Sequence, residues 1–145
     1  MGQTKNTYIS LIREDLDDYQ SSNRLLGFEE EFSRDNIARA CDRALERFNT
    51  TPPLIGTWSE TTFPSDTLFV DAAIYELLKR ATYKRGRNDF RYSESGNSID
   101  DQNFAQYQAL KKELKDDVRA ETTRIKMALN LSRGFGGVSS PYRNL

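Results

Sequence analysis

The sequence predicts an all-α fold: a small helical bundle with one buried central helix, a long C-terminal helix, a projecting loop or short hairpin, and an extended C-terminal arm. Three observations predict it. Apolar residues return at the 3.6-residue spacing of a helix in four separate segments. One of these, from Leu68 to Ala81, is apolar over most of its circumference, the pattern of a helix packed by neighbours on several sides. Strand-like patterning is confined to one short run, Gly56 to Phe63, bounded by Pro and Gly.

The first helix is expected from about Thr7 to Tyr19, where Tyr8, Ile9, Ile12, Leu16 and Tyr19 share one face and Glu14, Asp17 and Asp18 the other. Ser21-Ser22-Asn23 breaks it, and Glu29-Glu30-Glu31 reads as a solvated loop or first turn. The second helix starts after Ser33, a residue of N-cap type, with Asp35 in its first turn. Ile37, Ala40, Cys41, Ala44, Leu45 and Phe48 form its apolar stripe, so Cys41 is expected to be a small core residue. Arg39, Arg43 and Arg47 stand beside Asp35, Asp42 and Glu46, the pattern of an exposed, salt-laced face. Thr50-Thr51-Pro52-Pro53 stops the helix.

Pro64 and Ser65-Asp66 open the third, central helix. Its continuation changes character. Lys79, Arg80, Lys84, Arg85, Arg87 and Arg91 face a single acid, Asp89, with Tyr83, Phe90 and Tyr92 interleaved. The turn residues Glu94-Ser95-Gly96-Asn97 suggest a small hairpin or a projecting loop. The fourth helix is expected from about Asp100 to Leu129, its stripe running through Phe104, Tyr107, Leu110, Leu114, Val118, Ile125, Ala128 and Leu129. Glu121 sits on that stripe, which calls either for an Arg partner there or, the favoured reading, for the helix to leave the core by that turn. Leu77, Leu78, Phe48, Leu110 and Leu114 are the expected heart of the core. Beyond Leu131, three glycines and a proline are expected to end the helix, and Phe135, Val138, Tyr142 and Leu145 make the remainder more apolar than a solvating tail needs. That composition fits an arm that orders on a neighbouring surface.

Composition narrows the chemistry. Lys plus Arg number 21 and Asp plus Glu 22, a net charge of −1, which argues against a chain that coats nucleic acid. A hydrophobic content of 37% leaves a modest core, so extra burial from a partner or from self-assembly is plausible. There is no His, which removes the Ser-His-Asp triad, the Cys-His dyad and most catalytic zinc sites. The single Cys41 excludes an internal disulfide and a cysteine metal cluster. Gly134-Phe135-Gly136-Gly137 follows a helix and lacks the Lys-Ser/Thr of a phosphate loop, and Asp15, Asp17 and Asp18 lack the spacing of a calcium loop. No catalytic, cofactor or metal-ligating residue is expected, and the chain is not expected to be an enzyme. No apolar run approaches the roughly 20 residues that span a bilayer, and residues 1–6 lack a signal-peptide core, so a soluble protein of cytosolic origin is expected.

The basic-aromatic stretch from Lys79 to Tyr92 suits phosphate gripping and base stacking, which makes a nucleic-acid-binding regulator one reading. The opposing charge lies nearby in sequence: seven acids between Glu14 and Glu31 against only Arg13 and Arg24. One basic and one acidic patch on a subunit suit a head-to-tail contact between copies. Self-assembly explains both patches, DNA binding one.

The order of these features resembles the head-tail adaptor (connector) proteins of tailed bacteriophages. The resembling residues are Leu11-Ile12-Arg13-Glu14-Asp15-Leu16; Ala44-Leu45-Glu46-Arg47-Phe48-Asn49 before Pro52-Pro53; Phe63-Pro64; Arg87-Asn88-Asp89-Phe90-Arg91-Tyr92; and Ile125 to Leu131 with Gly137-Val138-Ser139-Ser140-Pro141-Tyr142. The resemblance implies a virion protein of the neck, between capsid and tail, made in the host cytoplasm. It implies a dodecameric ring beneath the portal protein that extends the DNA channel and meets the tail or a head-closure protein, with DNA only as passing cargo, no membrane and no cofactor. On that reading residues 1–131 form the adaptor domain and 86–98 its projecting loop, with Arg87, Phe90, Arg91 and Tyr92 between subunits. Residues 132–145 form the docking arm, with Phe135, Val138, Tyr142, Arg143 and Leu145 as contacts. DNA must slide through such a ring without sticking, so Asp17, Asp18, Glu29, Glu30 and Glu31 are candidate channel-lining acids; the alternative is an outer solvated surface. Another neck or tail-completion protein is a further reading, one that calls for more β-sheet than this sequence supports.

Overall fold

The computed structural model describes residues 2–19, 21, 30–92 and 99–136, of which 85–92, 99–104 and 135–136 are described by backbone alone. Four α-helices follow one another: α1 (Lys5–Leu16), α2 (Arg34–Thr50), α3 (Asp66–Tyr92) and α4 (Ile99–Gly136). A 3-10 turn, Glu60–Thr62, precedes α3, and no strand occurs among the described residues. The fold is all-α, as the apolar periodicity predicts.

Each helix begins and ends for a local reason. Thr4 caps α1, its side chain accepting from the Thr7 N–H, so the helix starts two residues earlier than expected. It also ends earlier, because Asp17 takes a left-handed conformation (φ 49°) and its N–H turns back to the carbonyls of Arg13 and Glu14. Ser33 caps α2 by accepting from the Asn36 N–H at 3.3 Å, and the Thr51 N–H closes its end on the Arg47 carbonyl at 3.1 Å. Ser65 caps α3 in the same way, its hydroxyl accepting from the Leu68 N–H.

The expected strand from Gly56 to Phe63 is absent. Ser59, Thr61 and Thr62 offer hydroxyls that compete with strand pairing, and the Ser59 N–H donates to the Thr62 hydroxyl at 2.9 Å. Trp58, at the start of this run, meets a side-chain amide in place of a neighbouring strand. Its N–H donates to Asn49 Oδ1 and its carbonyl accepts from Asn49 Nδ2, both at 2.9 Å. The chain thus passes over α2 and delivers Phe63 into the core, where it is 1% exposed.

α3 is the central helix. α2 packs along one side of it and α4 along another, and α1 touches both α2 and α3. Leu68, Phe69, Val70, Ala72, Ala73, Leu77, Leu78 and Ala81 are all buried. An aromatic chain crosses the centre: ring centroids lie 4.1 Å apart for Tyr8 and Phe69, 4.9 Å for Phe69 and Phe63, and 4.6 Å for Phe63 and Phe48. Cys41 is buried within this core, as expected.

Three expectations about the second half of the chain need correction. The stretch carrying Arg87, Phe90, Arg91 and Tyr92 is not a hairpin limb or loop, because α3 continues through Tyr92. Lys and Arg are good helix formers, and the lone Gly86 costs only about 1 kcal/mol. The turn residues 93–98 lie outside the described residues. Next, α4 does not stop near Leu131 but runs to Gly136, taking Gly134 and Phe135 into the helix. An exposed helical glycine costs about 1 kcal/mol and does not by itself break a helix. Nothing lies within 4 Å of where a Cβ on Gly134 would sit. Last, Leu110 is exposed rather than buried, and Leu114 only partly buried. The buried row of α4 is Val118, Thr122 and Lys126, spaced at four residues. Those residues face α3 and the end of α2.

Candidate functional site

Of the acids expected at a channel wall, Asp18, Glu30 and Glu31 have side chains engaged within the subunit. Asp18 is 4% exposed, which corrects its reading as a lumen-facing acid. Its carboxylate accepts the backbone N–H groups of Glu31 at 2.7 Å and Phe32 at 2.9 Å, tying the approach to α2 onto the end of α1. Glu30 pairs with Arg13 at 2.8 Å, and Glu31 accepts from the Tyr107 hydroxyl at 3.3 Å. Asp17 forms the left-handed cap of α1. Glu29 lies outside the described residues, as do Val138, Tyr142, Arg143 and Leu145 of the expected arm. Phe135 falls on the last turn of α4.

What the fold does bring together is a groove of about 320 Å³ between α2, α3 and α4. Its floor is apolar, with Phe48, Ala72 and Val118, and Arg47, Lys115 and Arg119 line it too. Arg47 is held on both sides: its guanidinium lies 5.2 Å from the Tyr75 ring centre and 2.5 Å from Glu76 Oε1, without hydrogen-bond alignment to that oxygen. Among the described residues, Lys115 and Arg119 form no ion pair.

The opposite flank of α4 is acidic. Glu113, Asp117 and Glu121 recur every four residues, with Leu110 one turn before them, and they lie about 160° around the helix from Lys115 and Arg119. Asp117 and Glu121 border a cleft with Asp71 of α3. Burial, with Asp15 and Asp117 nearby, holds the Asp71 carboxyl above the usual carboxylate range. Glu121, expected where the helix leaves the core, is partly exposed and bonded to Arg124 on its own helix, with Arg124 Nε donating at 2.8 Å.

Two buried polar residues escaped the sequence reading. Glu76 sits amid the all-apolar run of α3, which was its only signal. Lys126 is fully buried beside Ile125 on the fourth stripe; its ammonium donates to the Thr51 carbonyl at 2.6 Å and lies 4.7 Å from the Phe48 ring centre. Burial lowers its pKa from the ordinary lysine value. It joins α4 to the end of α2.

Burial pushes the Cys41 thiol up to about 12, far from a reactive thiolate. Tyr8 is likewise raised to about 12, by burial and by its hydrogen bond to Asp66 at 2.6 Å. Among the described residues, no group of three or more Cys, Asp or Glu side chains is placed to hold a metal ion, and no helix is long and apolar enough to cross a membrane. No protein-family model, no curated protein and no solved structure matches this chain.

Proposed function

We propose that this chain is a structural virion subunit, a head-tail adaptor of a tailed bacteriophage. In this reading it assembles as a ring beneath the portal, extends the DNA channel, and gives the tail or the next neck component a docking surface. The observation that carries the reading is the mismatch between α4 and the core it packs on. At 38 residues, α4 is about 57 Å long, against 12 residues for α1 and 17 for α2. Among its residues with described side chains, the buried ones fall between Val118 and Lys126. Leu110 on one side of that span, and Met127 and Leu131 on the other, are large apolar side chains left exposed. A helix built this way is stabilised further by neighbours, which a ring supplies.

The segment after Gly136 takes the docking role, through Val138, Tyr142, Arg143 and Leu145, on the portal or on an adjacent subunit. The basic-aromatic end of α3 takes the place first assigned to a loop, as a contact between subunits. No step in this role requires catalysis or a cofactor.

Negative-stain microscopy of the purified chain, alone and mixed with its portal protein, tests the proposal. Closed rings, or rings that cap the portal, are expected. A particle that stays monomeric or dimeric, ignores the portal and binds DNA with steep salt dependence would replace this reading with that of a nucleic-acid-binding regulator.

A further inference from the structure

The two flanks of α4 are complementary to each other. One carries Lys115 and Arg119 above the apolar groove; the other carries Glu113 and Asp117 behind the exposed Leu110. Facing opposite ways on one helix, they do not meet within a single copy. We infer that the groove of one copy receives the acidic flank of α4 from a second copy, with Leu110 on the apolar floor and Glu113 and Asp117 against Lys115 and Arg119.

Charge and burial both argue for this occupant. Among the described residues, Lys115 and Arg119 have no acidic partner within the subunit, as the ion-pair geometry above shows. On the other flank, burial first and then the nearby Asp15 and Asp117 raise the Asp71 carboxyl, and a cation from a neighbour favours its charged form. Exposed ion pairs alone hold little, so the contact also needs apolar burial, and Leu110 is 52% exposed in the isolated subunit. Because donor and acceptor surfaces differ, the contact is heterologous, and each copy that fills one groove still offers its own groove to the next. Such a chain of contacts closes into a ring or grows as a filament. The inference rests on the adaptor reading only for that closure.

Charge reversal tests it, with association followed by light scattering coupled to size-exclusion chromatography and folding by circular dichroism. The pair Lys115→Glu with Arg119→Glu should weaken self-association about 100-fold, and so should Glu113→Lys with Asp117→Lys, because like charges in register cost several kcal/mol. Mixing the two folded variants should restore association, and so should all four substitutions in one chain. A wild-type chain that stays monomeric at every concentration overturns the inference. So do folded variants that associate as wild type, or that fail to recover on mixing. Rings that persist unchanged in the variants would reject this contact and leave the adaptor reading standing. Charge-dependent association with no affinity for a portal would do the reverse.

Discussion

α3 is covered on two sides, and the two seams are built from different material. Toward α2 and α1 the packing is aromatic: Tyr8, Phe69, Phe63 and Phe48 form a chain of ring contacts through the centre, with Ile37, Ala40, Cys41 and Ala44 filling beside them. Toward α4 the fully buried row consists of one valine, one threonine and one lysine. Burying a large aromatic ring removes far more apolar surface from water than burying Val118. The first seam therefore supplies most of the stability, and the second fixes where α4 lies without gripping it along its length. The helix held more thinly is also the one that leaves Leu110 and Leu131 exposed.

The largest effect is expected in the aromatic seam. Phe63→Ala removes a ring in contact with both Phe48 and Phe69 and should cost about 3–5 kcal/mol in denaturant unfolding. Leu114→Ala, on the partly buried face of α4, should cost well under half as much. Equal losses would erase the distinction between the two seams.

The same contrast decides what was legible in the sequence. Apolar periodicity and caps give α2 and the first half of α3 almost to the residue, because Ser33 and Ser65 satisfy real orphan N–H groups and the stripe is buried on the predicted face. Periodicity fails on α4, since an apolar stripe marks a face that is able to be buried, not the length of partner available to bury it. Leu110 lies on such a stripe and stays exposed; Lys126 is outside the stripe and is buried, because the carbonyls of Thr51 and Pro53 lie where its ammonium arrives. Only tertiary placement puts them there. Of the candidate site, the seven acids of the first third were visible, but not that Asp18 is spent on two backbone N–H groups. The charged flanks of α4 were in plain sight as Lys115-Asp116-Asp117-Val118-Arg119, yet their meaning needed the groove.

Lys126 gives a middle-sized effect with a characteristic pH dependence. Lys126→Met keeps the stem but leaves the Thr51 and Pro53 carbonyls without their donor, so a loss of about 1–2 kcal/mol is expected at neutral pH. Burial sets the folded pKa of Lys126 below its unfolded value of 10.5. Between the two values the unfolded chain binds more protons than the folded one, so this lysine adds stability as pH rises through that window. Wild type should therefore gain on Lys126→Met in urea titrations repeated just below pH 10.5. A gap that stays constant would place the amine in a solvated setting, and one that narrows would mean that the fold favours its charged form.

The smallest effect tests how far α4 extends. Gly134 lies in the helix with open space around its Cβ position, and nearby Arg133 rests its guanidinium 3.4 Å from the Cβ position of Gly56, whose φ of 139° only glycine adopts readily. Replacing Gly134 with Ala removes backbone freedom from the unfolded chain and adds no clash, so it should favour the helical turn by about 0.4–1 kcal/mol. Global unfolding will barely register the change, because this turn lies outside the aromatic seam. Amide hydrogen exchange is the sensitive readout: residues 132–136 should exchange about two- to fivefold more slowly in Gly134→Ala, with the core amides unchanged. Faster exchange there would mean that the backbone at residue 134 leaves the helical region, and that α4 ends near Leu131 as its glycines first suggested.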